Sequence, residues 1–531
     1  MSKLPDLWQD GLAAGWKVTD ASLGGPDLKL ECDVVIVGSG AGGGMVAEQL
    51  SSAGLHVVLV EEGGLYSSRH FNLRESEAYP QLYQESANRL TADKGITILQ
   101  GRTVGGSTTV NWTSCFRTPA DTLAWWRNHH GLDAMQDAAL QPWFEQAEAR
   151  LNVGPWQTDP NVNNALLAQG CNKLGIPYSP IRRNVKGCWN LGYCGTGCAT
   201  NAKQSMLVTT IPAALASGAQ LLTRVRVQQL LLSPGRSHAE GIVGQALGPD
   251  GIQPSGRRVE VRARQVVLSA GAIGTPAVLL RSHAPDPYRL LGKRTFLHPV
   301  VMSGGLFRQR VEGYNGAPQS IFSDHFLHTQ PLDGPLGYKL EVPPVHPLIM
   351  AATLPGNGPV HQRLLKNLPY WQVSLALMRD GFHPQSVGGS VGLRSDGTPV
   401  LSYPLGAVEW EAARRALLNM AEIQFAAGAR VVLPVHEDAG LATSWRQAQD
   451  MIRQLPMQIL RTRVVSAHVM GGAMMSADER HGVVDQTGRH WQLGNVTVID
   501  GSVFPTSIGA NPQLSVYALA LRAADALRRR L

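Results

Sequence analysis

The sequence predicts an α/β protein that combines a Rossmann-like dinucleotide-binding fold with a region of antiparallel sheet. The first part rests on residues 32–64, where an apolar strand, a G-x-G-x-x-G turn, a helix and a second apolar strand follow one another. The second part rests on residues 371–380 and 386–403, which alternate as antiparallel strands do and contain turn residues. A periodic apolar pattern over residues 409–427 predicts a long helix beside these strands.

The composition excludes several classes of protein. The 531 residues allow two or three hydrophobic cores, and 44% hydrophobic with 16% charged residues is typical of a globular protein. The net charge of +7 is scattered except at residues 528–530, so we expect no nucleic-acid partner. Six cysteines do not form a disulfide framework in so long a chain. The start of the chain lacks a secretory pattern and no apolar run could span a membrane, so we expect a cytoplasmic protein.

Residues 1–30 form an N-terminal extension ahead of the dinucleotide pattern. Leu4, Trp8, Leu12 and Trp16 recur at every fourth position, which would give a short helix an apolar stripe. Such a stripe either packs on the body of the protein or lies on lipid. Peripheral contact with the inner face of a membrane therefore stays open.

The glycine-rich turn after the first strand points to a dinucleotide ligand. Gly38 permits a tight turn, Gly40 lets the backbone approach a pyrophosphate, and Gly43 lets the following helix pack close to the strand. The helix N-terminus offers free N–H groups and a positive dipole end to the phosphates. Glu61, at the end of the second strand, can accept hydrogen bonds from a ribose hydroxyl pair.

Three further blocks carry small residues that let the backbone approach a flat ligand. In residues 101–112, Gly105 and Gly106 allow this approach, while Ser107 and Asn111 can offer hydrogen bonds. A second block, residues 266–282, has the composition of a strand, a small-residue turn and a helix. The third, residues 496–527, predicts a strand ending at Asp500, an irregular loop and a C-terminal helix.

These four blocks, in this order, resemble the glucose–methanol–choline (GMC) family of FAD-dependent oxidoreductases. The family's G-R-x-x-G-G-S-x-x-N block is matched at residues 101–111, its S-x-H-x-x-G block at 466–471 and its closing N-P at 511–512. Residues 292–299 (GKRTFLHP) and the cysteine-containing residues 192–221 are similar to the long-chain alcohol oxidase subgroup.

The resemblance implies a discontinuous FAD-binding domain of residues 31–117, 190–299 and 464–531. The interleaved α+β substrate-binding domain would consist of residues 118–189 and 300–463, built on an antiparallel sheet. Members with covalently attached flavin carry a histidine where this chain has Val110, so we expect non-covalent FAD. The residues assigned to FAD are Gly38, Gly40, Gly43, Glu61, Arg102, Gly105, Gly106, Ser107, Asn111, Val227, Ala270, Gly271, Asp500, Gly501, Asn511, Pro512 and Gln513.

The resemblance also implies that His468 and Asn511 are catalytic. Alcohol oxidation transfers the hydroxyl proton to a base and the carbon-bound hydrogen, as hydride, to flavin N5. A histidine suits the base because its ordinary pKa is about 6.5, and His468 takes this role. Asn511 would hold the developing alkoxide, while His298 is expected to be structural. The expected substrate is a primary aliphatic, long-chain alcohol, which yields the aldehyde.

Two other functions stay open at this stage. Cys188, Cys194 and Cys198 are spaced like the segment that holds an iron–sulfur cluster in catalytic subunits of some sugar dehydrogenases of the family, which would imply a sugar or polyol dehydrogenase with an electron relay. Buried free thiols or one local disulfide would explain the same cysteines. A flavoprotein lyase without net redox is the other alternative. No further metal site is predicted, and the electron acceptor can be oxygen, a quinone or a cytochrome.

Overall fold

The computed structural model describes residues 6–531. Its first sheet has eight strands and is centred on Leu28–Val37, whose apolar end is buried on both faces. Val57–Val60 and Pro254–Leu268 run parallel to it on either side. In spatial order the strands are Lys17–Asp20, Gln220–Thr223, Val57–Val60, Leu28–Val37, Pro254–Leu268, Ala239–Leu247 and Val225–Leu232, with Val496–Val498 also paired to Pro254–Leu268.

The helix after the glycine-rich turn begins at Ala41, and glycines form most of its first turn. A Cβ on Gly43 would lie 1.9 Å from the carbonyl oxygen of Gly38, so close packing on the strand requires glycine there.

The α-helices are Leu7–Ala13, Ala41–Ser52, Glu75–Leu82, Ser107–Val110, Ala120–His130, Asp137–Arg150, Val162–Lys173, Thr210–Ala216, Gly271–Arg281, Pro347–Thr353, Gly358–Lys366, Ala407–Ala427, Trp445–Gln454 and Gln513–Arg528. Short 3-10 helices are Ala21–Leu23, Gln84–Ala87, Cys194–Thr196, His325–Leu327, Leu368–Tyr370 and Gly501–Val503.

The second large sheet has nine strands and is mostly antiparallel. Helices Ala407–Ala427 and Val162–Lys173 pack on one face of it. The strand Trp371–Met378 is buried at every residue, since helices cover one face and a cavity wall forms the other. In spatial order the strands are Arg89–Leu90, Ile96–Ile98, Val464–Ser466, Val300–Leu306, Trp371–Met378, Tyr338–Glu341, Ile321–Ser323 and Ser179–Pro180, with Val431–Pro434 also paired to Val300–Leu306.

The segments assigned to each domain from the sequence do not each form a single sheet. Arg89–Leu90 and Ile96–Ile98 lie within residues 31–117 but belong to the nine-stranded sheet. The hairpin expected within residues 386–403 forms, as Gly389–Leu393 and Pro399–Ser402. It joins Lys293–Phe296 and Met470–Gly471 in a separate four-stranded sheet, and Val153–Gly154 pairs with Arg183–Asn184 in a two-stranded one. The predicted α/β class, with a Rossmann-like sheet and an antiparallel sheet, is confirmed.

The N-terminal helix Leu7–Ala13 packs against the first sheet's helical layer. The Trp8 indole is buried and donates to the Leu207 carbonyl at 3.0 Å, and Trp16 meets its ring edge-on with centroids 5.5 Å apart. Leu12 is partly exposed, while Leu4 of the predicted stripe lies outside the described residues. Within residues 6–531, no helix has both the length and the apolarity needed to cross a bilayer.

Candidate active site

A cavity of about 1070 Å³ lies between the two large sheets. Gly38, Glu61 and Ala270, which follow the carboxyl ends of three parallel strands, line one wall. Val300 and Leu377 of the nine-stranded sheet line another. Open α/β sheets bind dinucleotides in the crevice outside the carboxyl ends of their strands, so this cavity is the candidate cofactor site.

The structure brings most of the residues assigned to FAD to this cavity. Gly43 and Gly105 lie behind the wall, where they shape the backbone without facing the cavity. The predicted base His468 also lines the cavity. The assigned residues in the wall are Gly38, Gly40, Glu61, Arg102, Gly106, Ser107, Asn111, Val227, Ala270, Gly271, Asp500, Gly501, Asn511, Pro512 and Gln513.

The backbone around the glycine-rich turn leaves no room for side chains. Gly38 has a φ of +95°, and a Cβ there would lie 2.3 Å from the Ser269 carbonyl oxygen. A Cβ on Gly106 would lie 2.8 Å from the Cα of Gly40, so loops from two sequence blocks touch. A pyrophosphate in this cradle would meet bare backbone at the N-terminus of helix Ala41–Ser52, and the residues present therefore fit a dinucleotide.

Glu61 is held by the backbone of the glycine-rich turn. Its carboxylate accepts from the Ser39 N–H at 3.0 Å, from the Ser39 hydroxyl at 2.6 Å and from the Gly63 N–H at 2.8 Å. Burial raises its pKa, although these hydrogen bonds oppose the shift. The next residue, Glu62, also lines the cavity and pairs with Arg226 at 3.0 Å. Two carboxylates are thus available near the expected ribose, where the sequence pattern singled out one.

Asp500 joins the third and fourth sequence blocks. Its carboxylate accepts from the Gly271 N–H at 2.9 Å, the Thr275 hydroxyl at 2.6 Å and the Ser502 N–H at 2.8 Å. Burial raises its pKa against the effect of these bonds. The helix Gly271–Arg281 is therefore fixed to the loop that leads to the C-terminal helix, and both line the same cavity.

Asn111 is tied to the C-terminal helix and to a buried lysine. Its Nδ2 donates to Gln513 Oε1 at 2.7 Å. Lys203 donates from Nζ to the carbonyl oxygens of Asn111 at 2.6 Å and Thr109 at 2.8 Å, which fixes the turn after Ser107. Burial lowers the pKa of Lys203 to about 8. No motif marked Lys203, because its role depends on carbonyl groups about a hundred residues away.

His468 contacts a second imidazole. Its Nδ1 lies 3.2 Å from Nδ1 of His298, and the Gly509 N–H donates to His298 Nε2 at 3.0 Å. Burial, with a smaller effect of the Lys339 ammonium, lowers the pKa of His468 to about 3. Burial and the neighbouring His468 lower the pKa of His298 as well. Both rings are therefore neutral around pH 7, and His298, expected to be structural, is the direct partner of His468.

Asn511 lies between the cavity and a buried ion pair. Its Oδ1 accepts from Lys339 Nζ and its Nδ2 donates to Glu341 Oε2, each at 3.2 Å. Lys339 and Glu341 are 3.2 Å apart, and burial lowers the pKa of Lys339 to about 8. Their alternate spacing on one strand is the only trace that this pair leaves in the sequence.

The part of the nine-stranded sheet that faces the cavity is apolar. Val300, Leu375 and Leu377 line the cavity together with Val465. They belong to a buried cluster that also includes Met302, next to the cavity. An alkyl group in this part of the cavity would exchange water for aliphatic contacts.

The three clustered cysteines are free thiols in the structure. Among residues 6–531 no group of three or more His, Cys, Asp or Glu side chains could hold a metal ion, and Cys188, Cys194 and Cys198 are all free. The iron–sulfur relay that their spacing suggested is therefore not supported. Cys194 instead contacts Arg183, whose Nη2 lies 3.8 Å from its sulfur.

Comparison with known proteins gives a consistent result. Residues 59–300 and 384–520 match the N- and C-terminal parts of GMC oxidoreductases. An uncharacterised GMC-type oxidoreductase of Mycobacterium tuberculosis is 34% identical over 496 residues, covering 93% of this chain and 75% of the relative. A long-chain-alcohol oxidase of Arabidopsis thaliana is 28% identical, covering 96% of this chain and 71% of its own.

Solved structures agree in fold. The pyridoxine 4-oxidase from Mesorbium loti superposes with a TM-score of 0.68 at 18% identity, over 94% of this chain and 99% of that one. The residue blocks, the cavity at the carboxyl ends of the parallel strands and the sequence matches all agree. The chain belongs to the GMC oxidoreductase family, whose members are FAD-dependent enzymes that act on CH–OH donors.

Proposed function

We propose that this protein oxidises primary aliphatic, long-chain alcohols to aldehydes, with His468 as the base. The observation that carries the proposal is the position of His468 and Asn511 in a cavity whose adjacent wall is aliphatic. A hydroxyl group would meet these two polar residues, while its alkyl chain would lie against Val300, Leu375 and Leu377. The 28% identity to a long-chain-alcohol oxidase supports the same substrate class.

The residues of this chain have separate roles in the reaction. Bound FAD supplies the acceptor for the hydride, and the glycine-rich turn, Glu61, Asn111 and Asp500 would hold it. His468 takes the hydroxyl proton, because its depressed pKa keeps the ring neutral at working pH. Asn511 donates a hydrogen bond to the alcohol oxygen as negative charge develops there. The apolar wall keeps water away from the reacting carbon.

We also propose that FAD is held without a covalent bond. Val110 occupies the position where a covalently linked relative would carry a histidine, and its side chain is buried and unreactive. Precipitation of the protein with acid should therefore release the yellow chromophore into the supernatant. Colour that remains in the pellet would contradict this assignment.

An anaerobic titration tests the substrate class. The flavin absorbance should bleach with 1-dodecanol and should not change with glucose. His468→Ala should keep FAD and slow flavin reduction by about 100- to 10,000-fold, the usual loss for a general base. His490→Ala, which removes a buried histidine that does not line the cavity, is the matched control and should reduce at the normal rate. Normal reduction in His468→Ala would exclude His468 as the base.

A further inference from the structure

Two charged residues lie on the cavity side of an otherwise apolar sheet face. In the strand Tyr338–Glu341, Lys339 pairs in register with Leu377 and Glu341 pairs with Leu375. Since cross-strand partners share a face, both charges lie beside the leucines that line the cavity. Lys339 and Glu341 are 2% and 0% exposed, so water does not solvate either of them.

Both groups hydrogen bond to the same amide. Lys339 Nζ donates to Asn511 Oδ1, and Asn511 Nδ2 donates to Glu341 Oε2, with both distances 3.2 Å. Gln319 also donates to Glu341 Oε2, at 2.6 Å, and so fixes the carboxylate in turn. Asn511 itself lines the cavity, whereas Lys339 and Glu341 do not.

This arrangement permits one orientation of the carboxamide. An ammonium group can only donate and a carboxylate can only accept. Rotating the Asn511 amide by 180° would place its NH₂ against Lys339 and its oxygen against Glu341, with like groups facing each other on both sides. In the observed orientation one Nδ2–H is used by Glu341, and the second has no partner among residues 6–531.

We propose that Lys339 and Glu341 are positioning residues that fix the Asn511 amide, so that its second Nδ2–H meets the oxygen of the alcohol. This inference rests on the proposed function, because it gives Asn511 its role there. A flipped amide would present a carbonyl oxygen to the developing alkoxide and repel it. The ion pair thus selects a donor over an acceptor at this point of the cavity.

Stability alone does not account for the pair. Removing two charges from water costs about as much as their attraction returns, so a buried ion pair adds little net stability. Phe116 lies under the Lys339 ammonium with its ring centroid 2.9 Å from Nζ and attracts the cation, but burial still lowers the pKa of Lys339 to about 8. The hydrogen bonds to Asn511 are the specific result of this costly arrangement.

Two double variants test the orientation of the amide. Lys339→Met with Glu341→Gln removes both charges and keeps an acceptor for Gln319, so the amide becomes free to flip. Flavin reduction by 1-dodecanol should then slow by about two- to tenfold, because only part of the population presents the N–H. Lys339→Glu with Glu341→Lys reverses the charges and favours the flipped amide. The rate of flavin reduction should fall about 100-fold in this variant, as it does when one preorganised hydrogen-bond donor is removed.

Making the Lys339 and Glu341 changes in an Asn511→Ala background shows whether the pair acts by positioning Asn511 or in another way. If the pair acts through the amide, neutralising it there should have no further effect on the rate. In the Lys339→Met, Glu341→Gln double variant that keeps Asn511, the FAD content and the apparent dissociation constant of 1-dodecanol should stay within about twofold of wild type. Ser303→Ala is the structural control, because this buried hydroxyl bonds to Gln424 on the helix side of the same sheet.

Three results would overturn the inference. A slowdown that persists in the Asn511→Ala background would mean that Lys339 acts directly or through folding. Equal decreases in the rate of flavin reduction in the neutral and the reversed variants would exclude control of the amide orientation. If the reversed variant does not fold, the neutral change in the Asn511→Ala background still tests whether the pair acts through Asn511. Normal reduction in Asn511→Ala alone would remove Asn511 from the proposed function, and this inference would fall with it.

Discussion

Nδ1 of His298 lies 3.2 Å from Nδ1 of His468, so one of the two rings donates a hydrogen bond to the other. The Gly509 N–H donates to His298 Nε2, and a neutral His298 therefore carries its proton on Nδ1 and donates to His468. The neutral His468 then carries its own proton on Nε2, which has no partner within the described part of the chain, residues 6–531. A base needs an unprotonated nitrogen. The hydrogen bond between the rings must therefore reverse before His468 Nε2 can take the alcohol proton. His468 then carries its proton on Nδ1, while His298 carries its own on Nε2 and gives up the hydrogen bond from the Gly509 N–H.

This reversal predicts a change of tautomer that can be observed directly. With ¹⁵N-labelled histidine, His468 should have its proton on Nε2 in the protein without substrate. It should shift to the Nδ1–H form when a non-oxidisable alcohol analogue binds to the FAD-loaded enzyme. Spectra of the His468→Ala variant assign the signal. A proton on Nδ1 before any ligand binds would show that the hydrogen bond runs from His468 to His298 in the resting protein.

The low pKa of His468 also predicts acid sensitivity of the fold. The unfolded chain takes up a proton at about pH 6.5, whereas folded His468 does so at about pH 3. The unfolded state binds more protons between these values, so the free energy of unfolding should fall as the pH is lowered through this window. The limiting slope is about 1.4 kcal/mol per pH unit for this histidine.

Urea unfolding of the FAD-loaded protein at pH 7 and pH 5 measures this slope. His468→Ala should make the slope shallower by about 0.7 proton averaged over this interval, while the other buried histidines keep their contributions. Ser303→Ala, which removes no ionisable group, should leave the slope unchanged. An unchanged slope in His468→Ala would mean that this ring is not held neutral in the folded protein.

Local patterns in the sequence are sufficient to place the glycine-rich turn and the strand ends at one edge of the sheet. The positions of Gly38 and Gly40 follow from the turn that they form. Asp500 follows a strand, and the carboxyl ends of parallel strands lie at the same edge of the sheet. These relations hold in any sheet of this topology. Gly43 has its predicted packing role without reaching the cavity, and Glu62 shares the region of Glu61. The strand-and-turn pattern therefore fixes the backbone better than it fixes which side chain faces the ligand.

The surroundings of His468 and Asn511 could not be obtained in the same way. Lys339 reaches Asn511 because its strand pairs with Trp371–Met378 in one register, and a shift by one residue would turn it to the helix side. His298 has a positive φ and lies in the GKRTFLHP motif, but nothing in that motif shows that its ring would meet His468. Such contacts depend on tertiary register, and a single sequence contains no record of it.

A glycine substitution tests the close packing of the cradle. Gly43→Ala would place a Cβ 1.9 Å from the Gly38 carbonyl oxygen, which is backbone and cannot move aside cheaply. We expect FAD content to drop and the free energy of unfolding to fall by about 1 to 3 kcal/mol or more, as overpacking does. Gly154→Ala, with no atom within 4 Å of the new Cβ, should leave both almost unchanged. Full FAD occupancy in Gly43→Ala would contradict the cradle geometry.

The apolar wall predicts how the rate depends on the length of the alcohol. Each methylene that moves from water onto aliphatic side chains gains about 0.8 kcal/mol, so kcat/KM should rise about fourfold per added carbon. The rise should continue from 1-butanol until the alkyl chain extends beyond Val300, Leu375 and Leu377.

Leu377→Ala should reduce the increase in kcat/KM per added carbon, because the alkyl chain loses part of its contact with the wall. Val301→Ala, on the helix side of the sheet, should weaken the fold and keep the dependence on chain length. A flat series in the wild type would mean that the alkyl chain does not lie on this wall, and a smaller or more polar alcohol would then be the substrate.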